Sequence, residues 1–420
     1  MVGGAVRDLW LGLTPQDYDF LVPDPAAEAA RAARTLGGSA FPLKGGVFRA
    51  VAGGQTLDFV PLPEGGLAAD LARRDFTANA LAMNRQGVVW GPGVAGYDLK
   101  ARRLRAQGPG VFREDPLRSL RAVRLWTTRG LRPEPRTWGW LRAHAAALRF
   151  GRKPARERVR KELAEILQSP RAAFGMAALE ESGLLAAYLP ELQAGVGLPQ
   201  GGYHHADLWR HTLEALDFLV RRYPEAGLAL RLAVLLHDVA KPLVRQWDRE
   251  RGYWRFFYHD EDGAALARAI LQRLASPREE LRRVEAWIRR HMRRPPETPR
   301  GLRRWVLEHR AWLPELLWLQ VADLAATRGP RARPDAWRRL AALEPRIRRL
   351  LKELPERPLL TGSEVAALVG RPPGPWLGPL LRALLRAQAE GRVSSQEEAK
   401  VFVLWWYEAQ APDPRRPTEP

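Results

Sequence analysis

The sequence predicts an α+β fold, in which a small α/β head precedes an elongated all-α body. Two observations lead to this prediction. The first hundred residues contain short β-like runs, "DYDFLV", "VFRAVAG" and "QTLDFVPL", separated by Gly and Pro turns, with a helix-like "PAAEAARAARTLG" after the first. From about Asp115 onward, apolar residues recur at helical spacing almost throughout, as in "DPLRSLRAVRLWTTRG" and "LALRLAVLLHDVAK".

The same patterns divide the chain into five predicted parts. These are a head over 1–104, a helical neck over 105–195, a third unit over 196–335, a helical tail over 336–410 and a disordered end over 411–420. A chain of 420 residues exceeds one ordinary core, so several units are expected.

Composition restricts the classes of function. The formal charge of +20 favours a polyanionic partner such as nucleic acid, although the abundance of Arg is also what a GC-rich genome would produce. The absence of cysteine excludes disulfides and thiolate chemistry. No apolar run approaches the length of a membrane span, so we expect a cytoplasmic protein without a membrane partner.

Two carboxylates, Asp17 and Asp19, stand two apart in the strand-like "QDYDFLV". Residues two apart in a strand point the same way, so these side chains project together and repel unless a cation joins them. Mg²⁺ accepts such oxygen ligands, and two ions can bind both oxygens of an in-line displacement. An exposed polar strand edge is the alternative explanation for this pair taken alone.

Neighbouring segments add groups suited to a nucleotide. "GGAVRD" opens a helix whose backbone N–H groups can approach a phosphate, and "LDF" adds a third strand carboxylate. "RRDFTANALA" supplies groups for ribose and phosphate. The candidate residues are Gly3, Gly4, Arg7, Asp58, Arg74, Asp75 and Asn79.

The combination GGxVRD, DxD and RRDFTxNA resembles the class II tRNA nucleotidyltransferases, which build the 3′-CCA end of tRNA and belong to the polymerase-β-like superfamily. The resemblance implies a polymerase-β-like palm, with tRNA and CTP, and ATP as a further substrate, as partners. The segment 336–410 resembles the C-terminal part of the same enzymes, which implies a tRNA-binding tail. It also implies that Asp17 and Asp19 bind catalytic Mg²⁺, that Gly3, Gly4 and Arg7 handle the triphosphate, and that "RRDFTAN" contacts the sugar.

"REDPLRSLRAVRL" resembles the family's EDxxR motif, with Glu114, Asp115 and Arg118, and places Arg121 one turn further on. Three residues apart on a helix, Asp115 and Arg118 would share a face and could read C or A, because a wrong base would leave buried donors or acceptors unpaired. A plain salt bridge between them is the alternative. "ARERVRKEL" resembles the next motif, in which Glu157 and Arg158 are expected to brace this helix.

Histidines and aspartates form a second set in the order H…HD…H…H…D: His211, His237, Asp238, His259, His291 and Asp323. This order resembles the metal-dependent HD phosphohydrolases, which implies a second site holding Mn, Ni, Co, Fe or Mg²⁺ and hydrolysing a phosphoester. Because His237 and Asp238 are adjacent on a helix, they can reach one ion only from a distorted or helix-end position, so the resemblance and not the spacing alone supports this pair. A structural remnant without turnover is the alternative.

Only "EGGLAA" separates "LDFVPLP" from "DLARRDFT". Full CCA-adding members carry a longer loop there that helps to switch the site from C to A, and its absence resembles the CC-adding enzymes. The sequence therefore predicts CC addition first and complete CCA addition second. Poly(A) polymerase, an RNA-end or nucleotide phosphohydrolase, and an RNA-binding protein with two inactive sites remain as further alternatives.

Overall fold

The head is built on a four-stranded mixed sheet. The computed structural model describes residues 1–148 and 154–410. It begins with α1 (Gly4–Trp10), β1 (Asp17–Val22), α2 (Pro25–Leu36), β2 (Ser39–Pro42), β3 (Phe48–Ala52) and β4 (Gln55–Pro61). The strand order is β1-β4-β3-β2, with β1 parallel to β4 and the other pairs antiparallel. The three predicted strands and the helix are confirmed, and β2 is an additional strand.

Local sequence explains how the chain crosses from β1 to its parallel neighbour. The carboxylate of Asp24 caps α2 by accepting from the Ala27 amide at 3.0 Å, and Pro25 occupies the first turn. Gly37 ends the helix in the left-handed conformation, with φ of 66°. The register of β1 with β4 places Asp19 directly beside Asp58.

The remainder of the head closes over one side of this sheet. It contains α3 (Gly66–Ala72), β5 (Ala82–Met83), β6 (Val89–Trp90), α4 (Ala95–Lys100) and β7 (Arg103–Leu104). Val2 forms isolated antiparallel bridges with Asp19 and with Ala82, so the residue in front of α1 ties the sheet to β5.

The neck is helical, apart from a two-residue strand that pairs back to β7. Its elements are α5 (Val111–Glu114), α6 (Leu117–Arg129), β8 (Arg132–Pro133), α7 (Pro135–Leu148), α8 (Arg156–Gln168), α9 (Ala172–Glu181), α10 (Leu184–Tyr188) and α11 (Pro190–Gln193). Helix α6 packs on α8 and α9 with an unbroken buried face that includes Leu120, Val123 and Leu125.

The third unit is a helical cluster interrupted by one β-hairpin. It contains α12 (Leu208–Arg222), α13 (Leu228–Leu236), α14 (Lys241–Val244), β9 (Arg245–Asp248), β10 (Tyr253–Phe256), α15 (His259–Arg273), α16 (Arg278–Ile288), α17 (Pro299–His309) and α18 (Glu315–Ala326). The hairpin was not predicted from sequence, because its apolar residues are aromatics interleaved with charges.

The tail consists of α19 (Ala336–Ala341), α20 (Glu344–Glu353), α21 (Gly362–Val369), α22 (Leu377–Ala389) and α23 (Gln396–Gln410). One hydrophobic cluster runs from residue 6 to residue 389, and α19 and α20 contribute to it. A separate small core begins only at Leu360. The predicted boundaries at 104, 195 and 335 therefore do not coincide with breaks in the core, and they stay predictions. The predicted disordered end lies outside the described residues.

None of the described helices is both long enough and apolar enough to cross a membrane.

Candidate active site and metal centre

A cleft of about 1200 Å³ separates the head from the neck. Carboxylates of β1 lie on its head side, and basic side chains of α6 and α8 lie on its neck side. Its charged and polar lining includes Asp17, Asp19, Arg7, Arg73, Arg74, Asp75, Asn79, Arg118, Arg121, Arg124, Arg129, Arg158 and Lys161. The excess of basic groups makes the cleft suited to a polyphosphate.

Asp17 and Asp19 point into this cleft from the same face of β1, as predicted. Asp17 is exposed, whereas Asp19 is partly buried. Burial raises the pKa of the Asp19 carboxyl above its ordinary value; the charge of Arg74 opposes the shift, and neighbouring carboxylates add to it. A site that disfavours its own negative charge in this way is one that a divalent cation would stabilise, so the paired oxygens fit Mg²⁺.

Asp58 is the third carboxylate of the sheet, and it is engaged by a residue that sequence reasoning missed. Arg49 of β3 donates to both of its oxygens, from Nε to Oδ1 and from Nη2 to Oδ2, each at 2.7 Å. Arg49 and Asp58 are cross-strand partners, so the bridge follows from sheet register. Asp58 is therefore held beside Asp19 but is not free.

The glycine turn before α1 differs from its expected role. The amide of Gly3 donates to the Leu81 carbonyl at 2.8 Å, so it is not available to a phosphate. Gly3 has φ of 75° and ψ of −131°, a conformation essentially restricted to glycine. The expectation that Gly3 binds phosphate through its N–H is wrong, because that group joins the turn to the head. Gly4 lines the cleft at the start of α1.

Replacing Gly3 with Ala is expected to destabilise the head by about 1–3 kcal/mol, because the new side chain must adopt a glycine conformation. The added Cβ would also overlap Nη1 of Arg74 and push that guanidinium out of place. Thermal unfolding measures the loss of stability, and the KM for CTP, the substrate that the sequence resemblance implies, measures the displacement of Arg74. Gly93→Ala is the control, since it has an ordinary φ and no heavy atom within 4 Å of the added Cβ. Equal behaviour of the two variants would contradict the prediction.

A buried chain of polar contacts connects α1 to the neck. Arg7 is 6% exposed and pairs with Asp8 at 2.7 Å, and its Nη1 donates to Asn79 Oδ1 at 2.5 Å. Asn79 in turn donates to Asp75 Oδ1 at 2.8 Å, and Arg121 donates to the other oxygen of Asp75 at 2.8 Å. Burial lowers the pKa of Arg7, and Asp8 opposes that shift. Arg7, Asp75 and Asn79 lie together as predicted. Most of their polar side-chain atoms, however, form hydrogen bonds within this group and are therefore not free to bind a ligand.

The series of polar contacts continues into the neck through Glu162, Arg124 and Arg129, which were not predicted from sequence. Glu162 of α8 accepts from Arg124 at 2.6 Å and from Arg121 at 3.4 Å. Arg129 at the end of α6 forms two bonds to Asp8, at 3.1 and 3.0 Å. Head and neck thus share both a core and a polar network.

Asp115 and Arg118 do not share a helix face. Asp115 is extended, with φ of −139° and ψ of 102°, and α6 begins only at Leu117 after a proline, so the expectation that both lie on the helix is wrong. They do not form the alternative salt bridge either: Arg118 binds Glu114 at 2.8 Å. Arg118 lines the cleft.

The predicted brace is half correct. Arg158 donates to Asp115 Oδ2 at 2.7 Å and so ties α8 to the start of α6. Glu157 is exposed and accepts from its neighbour Arg156 at 3.0 Å, so it does not contact α6 in this way.

The six residues of the second set converge in one buried centre. They form two groups, His211, His237 and Asp323, and Asp238, His259 and His291, and the potential ligand atoms in each group lie within 4.8 Å of one another. Asp238 joins the groups, with oxygens 3.1 Å from His237 Nε2 and 3.5 Å from His259 Nε2. Helix α13 ends at Leu236, so His237 and Asp238 lie at a helix end, which is one of the two predicted positions.

Backbone carbonyls orient three of these imidazoles. Nδ1 of His237, His259 and His291 lies 2.8, 2.7 and 2.6 Å from the carbonyl oxygen three residues earlier in each case. Nδ1–H is then the donor, and each Nε2 presents its lone pair to the centre. Outer hydrogen bonds of this type orient metal-binding histidines.

The donor set fits a divalent transition metal. Nε2 of His211 and of His237 is buried without a hydrogen-bond partner of good geometry in the described chain. Burial alone would lower the pKa of His237, but Asp238 and Asp323 raise it to about 10. Burial lowers the pKa of His291 to about 4. His291 is therefore a neutral donor, and a bound cation would take the place of the proton on His237, so that imidazole nitrogens and two carboxylates would hold such an ion.

Sequence reasoning missed the polar residues around this centre. Lys241 lies 2.6 Å from Asp238 Oδ2 and donates to Gln200 at 2.8 Å, and Arg294 lies 3.4 Å from Asp323. Only Lys241 carried a usable signal, since it follows Asp238 by one helical turn in "HDVAK". The others come from distant segments.

The geometry agrees with comparisons to known families. Residues 208–327 match the HD domain, and residues 130–195 match the family described as probable RNA and SrmB-binding site of polymerase A. The fold and the two sites thus define a nucleotidyltransferase with an attached HD domain.

Curated relatives that align along almost the whole chain identify the family within this class. A CC-adding tRNA nucleotidyltransferase of Thermus thermophilus is 50% identical over 96% of this chain and 93% of its own length. An A-adding tRNA nucleotidyltransferase of Deinococcus radiodurans is 45% identical over 97% of this chain and 95% of its own length. The chain belongs to the tRNA nucleotidyltransferase family.

Solved structures support the same fold. A CCA-adding enzyme of Bacillus stearothermophilus in complex with CTP aligns with a TM-score of 0.66 and 24% identity, covering 97% of this chain and 93% of that one. A Thermotoga maritima CCA-adding enzyme complexed with tRNA aligns with a TM-score of 0.59 and 21% identity, covering 97% and 90%. The α+β prediction is confirmed.

Proposed function

We propose that this chain adds CMP residues from CTP to the 3′ end of tRNA without a nucleic-acid template, and that it stops after two. The observation that carries CC addition is the connection between β4 and α3. Strand β4 ends at Pro61 and α3 begins at Gly66, with positive φ at Gly65 and Gly66. This tight turn leaves no long loop before "RRDFTAN". The CC-adding relative supports the proposal, and the A-adding relative makes terminal A addition the competitor to be tested.

In this proposal the RNA 3′-hydroxyl attacks the α-phosphorus of CTP, and pyrophosphate leaves. Asp17 and Asp19 would hold Mg²⁺, which supplies charge neutralisation to the attacking and leaving oxygens. Arg74 lines the cleft close to Gly3, and its Nε is fixed by Asp70 at 2.8 Å, so its guanidinium is oriented to contact phosphate or ribose. Asp58 would join the carboxylate set only if its bridge to Arg49 rearranges.

Base recognition is assigned to the start of α6. Arg118 and Arg121 line the cleft, whereas the Asp115 carboxylate is covered by Arg158. Arg118 is held by Glu114 and by the carbonyls of Val111 and Arg73, which limits its movement. Reading cytosine through Asp115 therefore requires Arg158 to release it, and the selection of C is coupled to the position of α8.

Product length tests the function directly. We expect tRNA lacking CCA to gain two nucleotides with CTP alone, none with ATP alone, and two with both triphosphates. The products are sized on a sequencing gel and their terminal nucleotides identified. Three added nucleotides ending in A would overturn CC addition in favour of complete CCA addition. Extension by A alone on tRNA already ending in CC would instead favour the A-adding competitor.

The buried centre supports a second activity, metal-dependent hydrolysis of a phosphoester. Four of the six donor residues, Asp238, His259, His291 and Asp323, line a cleft of about 610 Å³, which Lys241 and Arg294 also line. A bound ion would activate water there, and the positive side chains of Lys241 and Arg294 would neutralise the charge of a phosphate. We propose Mn, Ni, Co or Fe as the ion, with Mg²⁺ as the alternative, because imidazole predominates among the donors.

A further inference from the structure

The β9–β10 hairpin carries an exposed aromatic face. Trp247 and Trp254 are cross-strand partners, with ring centroids 5.1 Å apart at 68°. The guanidinium of Arg245, two residues before Trp247 and so on the same face, lies 4.5 Å from the Trp254 ring centroid. Trp247 is 50% exposed. The two rings meet edge to face, and the guanidinium of Arg245 lies over the half-buried Trp254, whereas Trp247 presents its ring to solvent.

The hairpin is also one wall of the cleft that contains the metal centre. That cleft is lined by Trp254, Phe256 and Phe257 together with the proposed ligands His259 and His291. The hairpin is held next to the metal centre, because β10 ends at Phe256 only three residues before His259. The carbonyl of Phe256 also accepts a hydrogen bond from His259 Nδ1 at 2.7 Å. A molecule lying along the hairpin would therefore reach the metal centre.

Cations alternate with the rings around this wall. Arg255 lies 4.1 Å from the Phe257 ring centroid, and Arg331 lies 4.9 Å from that of Tyr253. Arg333 and Arg294 line the same cleft. Rings that accept bases, alternating with cations that accept phosphates, are the combination by which proteins bind single-stranded nucleic acid.

A purely structural role would bury these rings. Instead, Trp247 is 50% exposed, and Phe257 and Tyr258, which follow the hairpin, are 43% and 75% exposed. A two-stranded hairpin is marginally stable by itself, so exposed aromatics at this position cost solubility without building a core. A protein partner with an apolar face would also have to desolvate the guanidinium groups that already lie on the rings, which disfavours it.

We propose that Arg245, Trp247 and Trp254, which lie on one face of the hairpin, form a stacking platform for unpaired nucleotides at an RNA 3′ end. Bases stack on the platform, and the strand then enters the cleft with its terminal phosphoester at the metal centre. The second half of this inference rests on the proposed hydrolase function; binding to the platform does not.

The test uses the full-length chain loaded with Mn²⁺. The probe is a fluorescein-labelled RNA hexamer ending in CCA with 5-iodocytidine at its penultimate position, and the comparison probe is an abasic hexamer of the same charge. We expect photo-crosslinks between residues 245 and 258. We also expect Trp247→Ala to weaken hexamer binding about tenfold in fluorescence anisotropy. Trp247→Phe should restore binding, and Trp405→Ala, which removes a tryptophan that is 58% exposed on α23, should leave it unchanged.

Three outcomes would overturn the proposal. The first is an affinity of Trp247→Ala equal to that of Trp405→Ala, with crosslinks elsewhere. The second is equal binding of the abasic hexamer, which would reduce the contact to charge alone. The third is a change of molecular mass in light scattering for Trp247→Ala with unchanged RNA affinity, which would identify a protein contact. If the wild-type chain shows neither CMP addition nor hydrolysis while the crosslinks persist, the proposed function fails and the platform stands.

Discussion

Replacing Asp19 with Asn is expected to abolish CMP addition, with a loss of about 10³-fold or more in rate. The substitution keeps the size of the side chain and removes the charge that a divalent ion requires. Asp19 is partly buried beside Asp58, and Asp58 is already neutralised by Arg49. Among the sheet carboxylates of the described head, only Asp17 on the same strand could therefore replace it. Incorporation of labelled CMP into tRNA lacking CCA measures the effect.

Two further variants give this prediction its controls. Glu28→Gln removes a charge from α2, outside the cleft, and should leave the rate unchanged. Asp58→Asn tests the third carboxylate: a loss as large as that of Asp19→Asn would indicate that the bridge to Arg49 opens during the reaction. Circular dichroism must show that the variants are folded. Near-normal addition by Asp19→Asn would refute the assignment of the head cleft as the active site.

Replacing Asp238 with Asn is expected to remove metal binding at the HD centre, and with it phosphoester hydrolysis. Asp238 joins the two ligand groups, so its loss affects both at once. Lys241 keeps its bond to Gln200 and is therefore not left unpaired. Metal content by mass spectrometry and hydrolysis of a nucleoside phosphate measure the two effects. CMP addition should persist, because the head cleft contains none of the six HD residues.

Asp217→Asn is the matched control for this second prediction. Asp217 lies on α12, the helix that carries His211, but its carboxylate is 43% exposed and pairs with Arg221. Unchanged metal content in this variant would exclude a general effect of removing an acidic residue from the helix. Full metal content and full hydrolysis in Asp238→Asn would mean that the centre is not the hydrolytic site. Loss of CMP addition in the same variant would mean that the two sites are not independent.

Elements with strong local patterns could be predicted from the sequence. The first four residues of β1 alternate aspartate and aromatic side chains, and α2 carries both an aspartate cap and a terminal glycine. The ordered histidines predicted the buried centre because the chemistry of metal binding restricts which residues can appear there. The adjacency of His237 and Asp238 left a distorted helix and a helix end as alternatives, and the structure has the helix end.

Contacts between distant segments could not be predicted in this way. The pairing of Arg49 with Asp58 depends on the register of β3 with β4, and the pairing of Asp8 with Arg129 joins residues 121 positions apart. The spacing of Asp115 from Arg118 predicts a shared helix face, but Pro116 lies between them and the helix begins only after it. Gly3 was assigned to a phosphate because its amide partner, Leu81, lies far along the chain.

The polar chain from Asp8 to Glu162 has a consequence for recombining relatives of different specificity. A chimera joined near residue 104 would combine one parent's Asp8, Asn79 and Asp75 with another parent's Arg129 and Arg121. Each mismatch would leave a buried charge without its counterpart. A functional chimera should therefore have its crossover beyond α8, so that the head with its carboxylates and the helices α6 and α8 come from the same parent.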